Sequence, residues 1–169
     1  IAEISGGLDH AHRKTDGSGR PMGIVHCDVS PQNVMLSFDG YVKILDFGVA
    51  RAHFSSVPQS KRLRGKPRYM APEQTRGEAP TAATDVFALG IIGWELLTGR
   101  PLFGGDDLMS ILSAVRRAEA PPTKGLNPAA PPQLVAAIAR ALAPDPPDRG
   151  SASDFAAAAA ETAGRMGAA

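Results

Sequence analysis

The run VFALGIIGWELL at residues 86–97 constrains the fold more than any other part of the chain. It is apolar on nearly every side of a helix, so a helix here must be surrounded by protein or by lipid. A bilayer span needs roughly 20 apolar residues, and this run is shorter and carries Glu95. A buried core helix is therefore expected, with Thr84 as its N-cap and Gly99 and Pro101 as its stop. The remaining sequence has to supply amphipathic elements that wrap it.

Periodicity and punctuation locate those elements. Ile1, Ile4, Leu8, Ala11 and His12 recur at helical spacing, so the chain opens on an amphipathic helix. Residues 14–23 are rich in turn formers and read as an exposed loop. Residues 34–36 and 41–45 are short apolar runs, and the Asp39-Gly40 pair between them favours a hairpin turn. Residues 49–72 lack sustained periodicity and read as a long functional loop. Helices are expected over 106–117, 133–143 and 151–165, the last on a serine cap, with an irregular Pro-rich segment at 118–132. The expectation is one domain over 1–169 of mainly helical α+β class, a helical bundle with a small β-hairpin.

Charge and cysteine usage exclude several classes. Charged residues make up 21% and the net charge is +1, which argues against global disorder and against a strongly basic nucleic-acid binder. Cys27 is the only cysteine, so no disulfide forms within the chain and a reducing, cytoplasmic setting is expected. Plentiful Ala, Gly and Pro with few aromatics match a high-GC bacterial coding bias. The chain begins at Ile1, already in helical pattern, and reads as a piece of a longer protein.

Chemistry concentrates in His26-Cys27-Asp28-Val29-Ser30-Pro31-Gln32-Asn33 and in Asp46-Phe47-Gly48. Phosphoryl transfer from a nucleotide needs a carboxylate to orient and deprotonate the attacking hydroxyl, and oxygen ligands for Mg²⁺. Asp28 suits the first task. Asn33 and Asp46 suit the second, brought together because the hairpin folds the chain back on itself.

These two stretches resemble the catalytic loop H-R-D-x-x-x-x-N and the D-F-G motif of protein kinases. Ala71-Pro72-Glu73 is similar to the family's A-P-E, Asp85 to the aspartate that starts its central helix, and WELLTGRPLF to that helix's end. Arg149 stands where the family has the arginine that pairs with the A-P-E glutamate. The resemblance spans nearly the whole chain and points to the C-terminal lobe of a bacterial eukaryotic-like serine/threonine protein kinase. It implies ATP and Mg²⁺ as cofactors and Ser/Thr hydroxyls of proteins as substrate. The catalytic loop would be 26–33, the D-F-G 46–48 and the activation segment 46–73. Asp28 would be the base, and Asn33 and Asp46 the nucleotide and magnesium ligands. Asp85 would brace the catalytic loop through backbone hydrogen bonds, and Glu73 and Arg149 would form a buried ion pair. His26, Phe47 and Gly48 would be structural, Phe47 helping to set active and inactive states.

Departures from the family pattern carry their own expectations. Cys27 replaces the arginine that receives an activation-loop phosphate in the family, so weak dependence on loop phosphorylation is expected; the competing reading gives that role to another Lys or Arg of the loop. Ser30 stands where the family carries lysine, and Lys66 where it carries threonine. A reciprocal swap is expected, with Lys66 supplying the charge for phosphoryl transfer and Ser30 the hydroxyl. The alternative is a Lys66 that faces solvent.

The bland readings apply elsewhere. His10 and His12 are too poorly spaced for a metal pair and are expected to be structural. Lys61, Arg62, Arg64, Lys66 and Arg68 lack an aromatic platform, so they read as a substrate-facing segment and not as a nucleic-acid patch. Ser55, Ser56 and Ser60 are phosphosite candidates by position alone. No G-x-G-x-x-G loop, no strand lysine of the V-A-I-K type and no partner glutamate occurs in the sequence. The chain by itself is thus expected to bind ATP poorly and to need an N-terminal lobe. Two other classes stay open: a non-catalytic pseudokinase scaffold, and a small-molecule phosphotransferase.

Overall fold

The computed structural model describes residues 1–47 and 66–166. Gly48, the serines at 55, 56 and 60, and Lys61, Arg62 and Arg64 lie outside the described residues. In chain order come α1 (Ala2–His12), the hairpin strands β1 (Val34–Leu36) and β2 (Val42–Ile44), α2 (Pro72–Arg76), α3 (Ala82–Thr98), α4 (Leu108–Arg117), α5 (Thr123–Leu126), α6 (Pro132–Ala141) and α7 (Ala152–Met166). Single turns of 3-10 helix lie at Pro31–Asn33, Pro67–Tyr69 and Pro146–Arg149. Among the described residues the architecture is mainly helical with one small antiparallel sheet, as the α+β expectation had it.

Helix α3 is the axis of the core. It is buried continuously from Thr84 to Trp94, and α6, α7, α5 and α1 pack around it. Phe87 stacks on Phe103 at 6.1 Å between ring centroids. The run surfaces at its end, where Leu96 is 67% exposed, and Gly99 closes the helix in the left-handed region at φ 67. Gly90 and Gly93 are where α6 and α7 come closest. A Cβ on Gly90 would lie 2.9 Å from Leu142 Cγ, and one on Gly93 2.9 Å from Ile138 Cγ1.

Two boundaries differ from expectation. Helix α3 starts at Ala82 on Thr81, one turn before the expected cap, because Ala82 and Ala83 are strong helix formers that prolong it. Thr84 is instead its third residue, and its hydroxyl accepts from Thr81 N at 3.0 Å. The segment 118–132 contains the short helix α5. That turn is held from outside: Trp94 Nε1 donates to Pro121 O, and Asn127 Nδ2 donates to Leu97 O. Helix α4 starts at Leu108 on Asp107 and α6 ends at Ala141, each within two residues of the expected bounds, and α7 starts on the expected serine. Ser151 and Asp154 cap α7 reciprocally, Ser151 Oγ accepting from Asp154 N and Asp154 Oδ2 from Ser151 N. Prolines stand in the first turn of α2, of α6 and of the three described 3-10 turns, where the missing N–H costs nothing.

The hairpin is what positions the site. Strands β1 and β2 pair with Val34 opposite Ile44 and Leu36 opposite Val42. Gly40, at φ 84, makes the turn, and Leu45 N donates to Asn33 O just beyond the ladder. The end of the 26–33 loop and the residues before Asp46 therefore lie side by side.

Candidate active site

Asp85, near the start of the buried helix, anchors the loop 23–33. Its side chain is 1% exposed, and it accepts from His26 N through Oδ2 and from Cys27 N through Oδ1, both at 2.8 Å. His12, at the end of α1, brings Nε2 to 2.8 Å of the same Oδ2. A carboxylate this buried is stable only when its lone pairs are filled, and three donors from two segments fill them. His10, two residues earlier, is exposed on another side of α1.

His26 joins the two motifs. Its Nε2 lies 2.8 Å from Leu45 O, and its Nδ1 accepts from Asp28 N at 3.2 Å. A carbonyl only accepts and an amide N–H only donates, so this pattern requires the Nε2–H tautomer. The ring also meets Phe47 edge-on, 4.8 Å between centroids. One buried imidazole thus fixes the main chain just before Asp46, the amide of Asp28 and the side of Phe47.

Asn33 completes the loop. Its Nδ2 donates to Asp28 O at 2.7 Å and to Asp28 Oδ2 at 3.0 Å. Its side-chain oxygen, Oδ1, accepts no hydrogen bond among the described residues. Asp46 follows β2, exposed, in the left-handed region at φ 60. The Asn33 carboxamide oxygen and the Asp46 carboxylate are hard oxygen donors of the kind that Mg²⁺ takes. No group of three or more His, Cys, Asp or Glu side chains among the described residues forms a closed metal cage. An ion here would keep waters and phosphate oxygens in its shell, which is how Mg²⁺ behaves in nucleotide sites.

Lys66 and Ser30 meet. Lys66 Nζ donates to Ser30 Oγ at 3.2 Å, and Ser30 is fully buried two residues beyond Asp28. The solvent-facing alternative for Lys66 does not describe this geometry. Three residues on, Tyr69 OH donates to Glu95 Oε2 at 2.8 Å, and Glu95 Oε1 accepts from Leu102 N. Burial and the Glu95 carboxylate push the Tyr69 phenol up to about 12.

Helix α2 is clamped beneath. Arg149 Nη1 and Nη2 reach Glu73 Oε1 and Oε2 at 2.7 and 2.9 Å, a bidentate pair, and Thr84 Oγ1 donates to Glu73 Oε1. Arg149 also donates to the carbonyls of Ala143, Ala83 and Pro144 and lies over the Phe87 ring at 4.7 Å. Burial pushes the Glu73 carboxyl up, but the Arg149 and Thr84 hydrogen bonds win and hold it below its ordinary value. Three partners found here have no signal in the sequence beyond their position: His12 on Asp85, Glu95 on Tyr69, and Gln74, which bonds to the main chain of Cys27.

Comparison with known proteins gives a consistent set. The model of the protein kinase domain matches residues 1–159. A protein named tyrosine-protein kinase MasK, from Myxococcus xanthus, is 37% identical over 163 residues, 96% of this chain and 25% of its own length. A probable serine/threonine-protein kinase PknB from Lactococcus lactis is 38% identical over 146 residues, 86% of this chain and 22% of its own length. The serine/threonine-protein kinase PrkC of Bacillus subtilis is 36% identical over 147 residues, again 86% of this chain and 22% of its own length. The chain thus spans a quarter or less of these bacterial relatives. No described helix is long and apolar enough to cross a membrane.

Proposed function

Because the chain belongs to the protein kinase domain family, we propose that it is the C-terminal lobe of a bacterial kinase that phosphorylates Ser and Thr hydroxyls of proteins, working with an N-terminal lobe in the cytoplasm. The observation that carries the reading is the cluster of Asp28, Asn33 and the Leu45–Asp46 stretch, tied together through His26 and the Asn33 amide. Asn33 occupies one carboxylate oxygen of Asp28 and leaves Oδ1 to orient the substrate hydroxyl and take its proton. Asn33 and Asp46 would hold the metal and, through it, the nucleotide. Bound MgATP supplies the phosphoryl group and neutralises charge on the phosphates. Lys66, supported by the buried Ser30 hydroxyl, presents the positive charge that the transferring group needs.

The test is phosphate transfer from ATP by the full-length protein to a generic protein acceptor, with Asp28→Asn and Lys66→Ala. Asp28→Asn is expected to abolish transfer and Lys66→Ala to lower it by about a hundredfold. Phosphoamino-acid analysis should find phosphoserine and phosphothreonine; phosphotyrosine would side with the MasK relative instead. Transfer to a small molecule alone would favour a small-molecule phosphotransferase. Absence of transfer with retained protein binding would favour a scaffold. Activity unchanged in Lys66→Ala would remove Lys66 from the machinery.

A further inference from the structure

Gln74 is buried, is the third residue of the five-residue helix α2, and has no part in the roles above. Its Nε2 donates to Cys27 O and its Oε1 accepts from Ala71 N, both at 2.9 Å. Both ends of the amide are therefore spent, and the types of its partners fix its orientation. Cys27 sits at φ 67, in the left-handed region that a side chain rarely enters, and it directly precedes Asp28. Such a conformation persists only where the surroundings over-determine it. Here the N–H of Cys27 is held by Asp85 of α3 and its carbonyl by Gln74 of α2. The peptide linking Cys27 to Asp28 is thus gripped at both ends, its carbonyl by Gln74 and its N–H by His26. Turning that peptide would redirect the Asp28 side chain, and it cannot turn without breaking both bonds.

We propose that Gln74 is a positioning residue that ties the start of α2 to the catalytic loop and holds Asp28 in its working orientation. The proposal deepens the phosphotransfer reading and rests on it for its catalytic consequence. Docking of α2 and alignment of Asp28 become one event, transmitted through a neutral side chain to main-chain atoms.

Two variants of the full-length protein separate the bonds. Gln74→Glu keeps an acceptor for Ala71 N–H but loses the donor to Cys27 O, whereas Gln74→Met loses both. Amide exchange followed by mass spectrometry over residues 23–33 is one readout, and kcat and KM for transfer from ATP are the other. Both variants are expected to exchange about tenfold faster over that stretch while α3 keeps its rate, with kcat falling about tenfold and KM for ATP moving less than twofold. Unchanged exchange over 23–33, or exchange that rises only in step with α3, would overturn the proposal and leave Gln74 as a local cap. Faster exchange with an unchanged kcat would likewise overturn the assignment to Asp28. If the unmodified protein transfers no phosphate but exchange responds as expected, the phosphotransfer reading falls and the positioning role stands.

Discussion

Replacing Arg149 by Met tests how α2 is held. Arg149 is 2% exposed and donates from all three guanidinium nitrogens, to both oxygens of Glu73 and to the carbonyls of Ala143, Ala83 and Pro144. Met fills much of the volume but leaves the Glu73 carboxylate, 3% exposed, with Thr84 Oγ1 as its remaining side-chain donor. Removing one partner of a buried pair costs about 3–5 kcal/mol, a large share of the roughly 5–15 kcal/mol that stabilises a domain. With a urea dependence of about 2 kcal/mol per molar, the unfolding midpoint should fall by about 1.5–2.5 M. The double variant Glu73→Met/Arg149→Met removes the orphaned charge and should recover part of that loss. Acid adds a second handle. The Glu73 carboxyl is held below its ordinary 4.5 in the fold, so its contribution is whole above that value and is lost as pH falls through the lower folded one. The stability gap between the parent chain and Glu73→Gln should therefore narrow below about pH 4.5. A double variant as unstable as the sum of its singles, or an Arg149→Met midpoint within about 0.5 M of the parent, would refute the account.

Gly90→Ala should destabilise by about 1–3 kcal/mol in urea despite the better helix propensity, because its Cβ would press on Leu142 and Ala141; a more stable variant contradicts the close crossing. Tyr69→Phe should flatten the alkaline loss of stability. The raised phenol contributes fully below its ordinary 10.0 and loses that contribution as pH climbs through about 12, so an unchanged alkaline slope in thermal midpoint would count against the Glu95 bond. Ser151→Ala should cost about 1 kcal/mol by removing the acceptor for Asp154 N, read as a lowered thermal midpoint; no change would mean that another group caps α7.

What the sequence made legible follows the kind of interaction involved. Core helix, hairpin and stops were readable because apolar runs and Gly or Pro act locally, as at Gly40 and Gly99. Residue types in a fixed order announced Asp28, Asn33, Asp46, Glu73, Asp85 and Arg149, and the structure sets Glu73 against Arg149 and Asp85 against the loop. The start of α3 is ambiguous in the sequence because Thr81 and Thr84 are equally good cap residues; the Ala82-Ala83 pair extends the helix to Thr81, and the Thr84 hydroxyl is taken by Glu73 of another helix. Helix α5 was missed because its stability lies in bonds from Trp94 and Asn127 and not in its own Thr-Lys-Gly-Leu.

Contacts to the main chain are the hardest to foresee, because a peptide group has no residue type. Gln74 on Cys27 O leaves no pattern that spacing or composition would expose, and the side-chain pair of His12 and Asp85 leaves none either. Ser30 and Lys66 are the instructive contrast. Either substitution alone would read as drift, but a hydroxyl replacing a cation and a cation replacing a hydroxyl are complementary changes. They make physical sense only if the two side chains touch. The 3.2 Å between Lys66 Nζ and Ser30 Oγ meets that condition at residues separated by 36 positions. A buried hydroxyl such as Ser30 needs a partner, and a half-buried ammonium such as Lys66 needs an acceptor, so each side chain supplies what the other lacks. Restoring the family's arrangement with Ser30→Lys and Lys66→Thr together should therefore retain more transfer than either change alone. Single changes that prove additive would show that the two positions act independently.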